Sequence, residues 1–129
     1  MSRKSKGINA ERDLIHKFWN NDWAAIRVAG SGSSSFPSPD LLAGNRIRKM
    51  AIECKVTKED KKYFSAEDIE QLKTFSDLFG AEPWIAVKFG KEPWFFINLE
   101  DLEKTSHGFM ISVSIARNKG LLFEEISKN

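Results

Sequence analysis

Pro39-Asp40-Leu41-Leu42-Ala43-Gly44-Asn45-Arg46-Ile47-Arg48-Lys49-Met50-Ala51-Ile52-Glu53-Cys54-Lys55 is the stretch on which the fold turns. Gly44-Asn45 interrupts two apolar runs and reads as a turn, so the flanking segments pair as the antiparallel strands of a hairpin. Asp40 and Glu53 are an odd number of positions apart, so an even-numbered loop sets them directly opposite each other. Side chains alternate between the faces of a strand. Glu53 and Lys55 therefore leave one face of the second strand, and Ile52, Cys54 and Val56 the other. Asp40 and Leu42 can share the charged face from the first strand. Two carboxylates and a lysine converge on one patch of a sheet whose reverse side is apolar.

That patch has a chemical use. Hydrolysis of a phosphodiester calls for a hard cation that polarises phosphoryl oxygens and acidifies a bound water. Carboxylates are the ligands that Mg²⁺ prefers, with several waters kept in its octahedral shell. A lysine beside them can orient the attacking water or offset charge growing on the phosphate. Taken alone, Glu53-Cys54-Lys55 is a triplet that many solvated edge strands carry. Pro39-Asp40 upstream turns the reading toward a site.

The totals exclude several classes. A chain of 129 residues suits one domain, 1–129, with a core large enough to fold alone. Its content, 41% hydrophobic and 29% charged, fits neither disorder nor a membrane span. The start, Ser2-Arg3-Lys4-Ser5-Lys6-Gly7, leads into no signal-peptide core. The lone Cys54 cannot form an internal disulfide and is expected to pack inside, which points to the cytoplasm. The net charge of +2 hides a division: residues 1–62 hold 13 Lys/Arg against 7 Asp/Glu, and residues 63–129 hold 7 against 11. The basic half contains the candidate patch, as a polyanion-binding face would require.

Residues 1–6 carry Arg3, Lys4 and Lys6 with no apolar partner and read as a mobile basic arm able to touch phosphates. From 7 to about 21 the pattern is helical, with Ile8, Leu14, Ile15, Phe18 and Trp19 in one stripe. Glu11 falls inside that stripe, where a carboxylate needs a cation or an arginine beside it, or must reach out to water. Arg12 lies at the stripe's edge, within reach of a phosphate. Residues 23–29 read as a strand running into Gly30-Ser31-Gly32-Ser33-Ser34-Ser35. Such a loop lets backbone amides and hydroxyls approach phosphates, or serves as a plain linker. Lys58, Lys61 and Lys62 add positive charge beyond Lys55.

Ser65 reads as an N-cap and Gly80 as a stop, giving a second helix over 65–79. Its apolar positions Ile69, Leu72, Phe75, Leu78 and Phe79 cover more of the circumference than one core face needs, so Phe75 and Phe79 are candidates for packing against another chain. Gln71, at the border of that stripe, could touch the site from the side. Residues 83–89 and 94–98 read as buried strands, 99–103 as a helical turn, 109–115 as a half-buried strand, and 121–126 as a short apolar element. His16 and His107 have no partner at metal-ligand spacing. Neither a phosphate-binding glycine fingerprint nor a Ser/His/Asp pattern is present, and no small-molecule cofactor is expected.

Assembled in order, these residues resemble the archaeal Holliday junction resolvases, and more broadly the PD-(D/E)xK nucleases. The resemblance runs over nearly the whole chain. Gly7-x-x-x-Glu11-Arg12 is similar to the family's opening helix, and Arg27-Val28-Ala29-Gly30-Ser31 to its strand-and-loop signature. Pro39-Asp40-Leu41-Leu42-Ala43-Gly44-Asn45 with Ile52-Glu53-Cys54-Lys55 resembles its catalytic hairpin. The resemblance implies a restriction-endonuclease-like α/β fold, a central mixed sheet flanked by helices. It implies a homodimer that nicks opposed strands of a four-way DNA junction in recombination and repair, using Mg²⁺ or, in its place, Mn²⁺. Asp40 and Glu53 would then bind the metal, Glu11 would complete the acidic cluster, and Lys55 would assist the attacking water. Arg12, Arg27 and the loop with Ser31 and Ser33 would hold DNA, joined by Arg3, Lys4, Lys6 and Lys58. Phe75 and Phe79 match aromatic positions of the family's dimer interface. The serine-rich loop between Gly30 and Asp40 is longer than in some relatives. Two other readings stay open: a restriction-like or repair endonuclease acting on duplex or flap DNA, and a DNA-binding module without catalysis.

Overall fold

The computed structural model of the protein describes residues 3–29 and 35–128, with backbone alone for 3–6. In chain order it runs α1 (Arg3–Trp19), β1 (Ala24–Arg27), β2 (Leu41–Gly44), β3 (Lys49–Thr57), β4 (Lys61–Ser65), α2 (Ala66–Phe79), β5 (Glu82–Phe89) and β6 (Trp94–Ile97). A 3-10 turn (Leu99–Asp101) follows, then β7 (Glu103–Thr105), β8 (Gly108–Ser112), α3 (Val113–Lys119) and α4 (Phe123–Ile126). The hairpin read from the sequence is present as β2 and β3, with Leu41 opposite Ile52 and Gly44 opposite Lys49. Its loop is the four residues 45–48, an even number. Asn45 shapes it: the side-chain carbonyl accepts from the backbone N–H of Ile47 and of Arg48, both at 2.8 Å.

Five strands form the central sheet in the order β1-β2-β3-β5-β6, with β3 and β5 parallel and the other pairs antiparallel. A parallel pair needs a helical crossover, which α2 supplies. Strand β3 is covered on both faces, which is why Met50-Ala51-Ile52 is an unbroken apolar run. One face presents Leu41, Ala43, Met50, Ile52 and Cys54 to Leu14 and Phe18 of α1 and to Phe123 and Ile126 of α4. Phe18 sits edge-on to Trp23, Phe96 and Phe123 at ring separations of 5.8, 6.4 and 5.1 Å, which locks α1 to the sheet. The other face packs Ala51, Ile85 and Val87 against Ile69 and Leu72 of α2 and against Phe64 and Ile111 of a second sheet, β4-β8-β7.

Several expectations need correction. Helix α1 starts at Arg3 rather than Gly7, so residues 3–6, read as part of a mobile arm, are helical backbone; arginine and lysine are good helix formers, and extending a nucleated helix costs little. The strand expected over 109–115 ends at Ser112, whose hydroxyl accepts from the Ile115 N–H at 3.1 Å and caps α3. Val113 and Ile115, two apart on α3, lie on different sides of the helix and are only half-buried, and Ala116 is its buried residue. The second sheet was not anticipated, because Lys61-Lys62-Tyr63-Phe64 has only one core residue, Phe64, to mark it as a strand. Helix α2 agrees with its reading: the Ser65 hydroxyl accepts from the Asp68 N–H at 3.0 Å, and Gly80 ends it with φ of 78°.

Candidate active site

Strands β1 and β2 stop short, at Arg27 and before Asp40, while β3 runs on to Thr57 beside β5. The sheet therefore has a step, and Asp40 stands at its corner. The Asp40 carbonyl accepts from the Val28 N–H at 2.8 Å, and its own N–H donates to the Ile52 carbonyl at 3.0 Å. Beyond that point no described strand pairs with β3 on this side. The side chain of Asp40 takes over, its Oδ2 accepting from the Cys54 N–H at 2.8 Å. A backbone amide thus pins one carboxylate oxygen at the step. Continuing the β2–β3 register by one residue sets Asp40 opposite Glu53, as the odd separation requires.

Glu53 lies mostly shielded, with Oε2 3.4 Å from Lys55 Nζ. Burial, the charge of Asp40 and, more weakly, that of Asp68 raise its carboxyl to about 7, against the opposing pull of Lys55. Glu11 projects from α1 to the same corner and pairs with Arg27 Nε at 3.2 Å. Burial first and Asp40 second raise the Glu11 carboxyl, with Arg27 and Lys55 acting against them. The Cys54 thiol is buried and pushed well up, by burial and then by the charges of Asp40, Glu11 and Glu53. It packs, as expected, and offers no thiolate. Three acids and one lysine thus share a single electrostatic neighbourhood.

They do not form a ready-made cage. Among the described residues no three acidic, histidine or cysteine side chains stand close enough to hold a metal ion together. Glu11, expected to complete the acidic cluster, makes a charge-assisted bond to Arg27, the arginine that β1 places within its reach. The donor set that fits a divalent cation is Asp40 and Glu53. They face each other with more negative charge than Lys55 offsets, and a cation would relieve that excess. Two carboxylates suit Mg²⁺, which keeps several waters in its shell.

Arg12 and Lys58 are exposed. Arg27 is engaged with Glu11. Arg3, Lys4 and Lys6 lie on the first turns of α1, while Ser31 and Ser33 fall outside the described residues. Gln71 is exposed and donates to Glu67 Oε1 at 3.2 Å, so it belongs to the surface of α2. Phe75 and Phe79 stack at 5.2 Å. His16 and His107 are exposed. Asp68 was not anticipated: only the packing of α2 on β3 brings its charge to Glu53. Tyr63 was not anticipated either, although the alternation of Tyr63 and Phe64 beside the Ser65 cap could have revealed an outward-facing ring.

The sequence model described as archaeal Holliday junction resolvase (hjc) matches residues 2–129. The chain is 48% identical over 112 residues to the crossover junction endodeoxyribonuclease Hjc of Archaeoglobus fulgidus, covering 87% of this chain and 82% of that protein. It is 36% identical over 110 residues to the crossover junction endodeoxyribonuclease Hjc of Methanocaldococcus jannaschii, covering 85% and 78%. In three dimensions it matches the solved structure of A. fulgidus Hjc, a Holliday junction resolvase from an archaeal hyperthermophile. The TM-score is 0.88 at 43% identity, covering 95% of this chain and 100% of that one.

Proposed function

This chain belongs to the archaeal Holliday junction resolvase family, and on that premise we propose that it is a structure-selective endonuclease that resolves four-way DNA junctions by paired nicks in recombination and repair. The observation that carries the reading is the step in the sheet, where Asp40 and Glu53 oppose each other with Lys55 3.4 Å from Glu53. The whole of 1–129 works as one nuclease domain.

Asp40 and Glu53 would hold Mg²⁺ or Mn²⁺. Such an ion polarises a phosphoryl oxygen and acidifies a bound water. Glu11 acts one layer out, accepting a hydrogen bond from a water at the site while Arg27 holds its carboxylate in place. Lys55 donates to the attacking water or to a non-bridging phosphate oxygen, where its charge offsets the negative charge that grows during attack. Arg12 and Lys58, both exposed, hold the sugar-phosphate backbone. These contacts position the DNA without reading its sequence.

The protein acts as a homodimer, since a four-way junction presents two strands to be cut. Helix α2 packs over β3 and β5 and leaves the same face of β1 open, with Ile26 58% exposed. On α2, Leu78 is 86% exposed and Phe79 46% exposed. Exposed apolar side chains of this size are what a second copy would cover. No described helix is long and apolar enough to cross a membrane, and the work belongs in the cytoplasm.

Cleavage of a synthetic four-way junction with Mg²⁺ tests the reading. Asp40→Asn and Glu53→Gln should each lose at least a hundredfold in cutting while still binding the junction in metal-free buffer; Lys55→Ala should lose a comparable factor. Parent-level cutting by the two acid variants would remove the metal assignment. A preference of the parent protein for plain duplex or flap DNA would replace junction resolution with a repair or restriction-like role.

A further inference from the structure

Past Lys55 the step opens into a trough of about 920 Å³ between Gly7 on α1 and the connection from β3 to β4. Lys55, Lys58, Lys61 and Lys62 line it, against Glu59 and Asp60. The two acids sit at the turn. The Glu59 N–H donates to Thr57 Oγ1 at 3.0 Å, and the Asp60 carbonyl accepts from Val113 N–H at 2.9 Å while its charge is felt by Arg117. The lining keeps a positive excess. Tyr63 also lines the trough and is 63% exposed, although its neighbour Phe64 is buried in the core.

Like charges crowded into a concave surface repel one another unless a polyanion enters. A cationic groove with an aromatic ring on its wall is the arrangement that tracks a sugar-phosphate chain and stacks a base. A base inside a continuous duplex has stacking neighbours on both sides and offers no face. At a branch point the helical stack is interrupted, and a base face becomes free. Resting on the junction reading above, we infer that this trough takes the stretch of the cut strand adjoining the branch, its phosphates on Lys58, Lys61 and Lys62 and one unstacked base on the ring of Tyr63. Tyr63 is thereby a specificity-determining residue, which substitutes for the stacking partner the junction has lost.

Binding of a four-way junction and of a duplex of the same sequences, in metal-free buffer at several salt concentrations, tests this. Tyr63→Ala should weaken junction binding roughly five- to a hundredfold and leave duplex binding unchanged, the range that loss of one base–aromatic contact produces. Tyr63→Phe should behave as the parent. Lys61→Ala with Lys62→Ala should weaken both DNAs alike and flatten the salt dependence by about two phosphates' worth. Should Tyr63→Ala not fold, Tyr63→Leu keeps an apolar side chain on the strand without a π face and carries the same comparison. Equal losses on junction and duplex, or none on either, overturn the inference. Junction cutting by Asp40→Asn at the parent rate would instead overturn the metal site, so the two failures are separable.

Discussion

Glu53 carries a strongly raised carboxyl, and its behaviour can be measured without DNA. Its carboxyl ionises at about 7 in the folded protein against an ordinary 4.5, chiefly because it is shielded from water and faces Asp40. The folded chain holds that proton more tightly than the unfolded chain does. The stabilisation is therefore complete below about pH 4.5 and is lost as pH rises through about 7. In metal-free buffer the melting temperature should decline between about pH 5 and pH 8. Glu53→Gln should remove that part of the slope and melt several degrees above the parent at pH 8, a gain of about 3 kcal/mol at most. Thermal scans across that range decide it, and an unchanged slope in the variant would show that Glu53 is not the titrating group. Glu11 moves in the same direction, but its bond to Arg27 opposes the shift.

At the scale of elements, the hairpin and α2 carry the site for different reasons. The hairpin sets the register, since its four-residue loop places Asp40 opposite Glu53. Helix α2 supplies the lid on the sheet and brings Asp68 within range of Glu53. Its start depends on the Ser65 hydroxyl, which satisfies the Asp68 N–H. Ser65→Ala should cost about 1 kcal/mol, seen as a drop of a few degrees in melting temperature, while the junction is still cut. A variant as stable as the parent would mean that the first turn is held by packing alone. The neighbouring β4 is hidden in the sequence because Phe64 is its one core residue and a lysine, Lys62, occupies its other inward position.

For the whole molecule, the dimer proposed above would cover the exposed apolar side chains Ile26, Leu78 and Phe79, with the half-buried Phe75 stacked on Phe79. Light scattering should give twice the chain mass, and the combined Phe75→Ala and Phe79→Ala substitutions should lower it toward a single chain. A doubly substituted protein that remains dimeric would place the interface elsewhere. What the sequence determined by itself was local: a turn at Gly44-Asn45, an odd spacing between Asp40 and Glu53, the caps of α2, and the order of motifs that marks the family. Each of these rests on backbone preferences and side-chain periodicity, which act between near neighbours along the chain. Tertiary structure alone decided that β1 and β2 end where β3 continues, that Glu11 meets Arg27, and that Tyr63 shares a trough with four lysines. Those outcomes depend on which elements pack side by side, and such contacts join residues far apart in sequence whose spacing carries no record of the meeting.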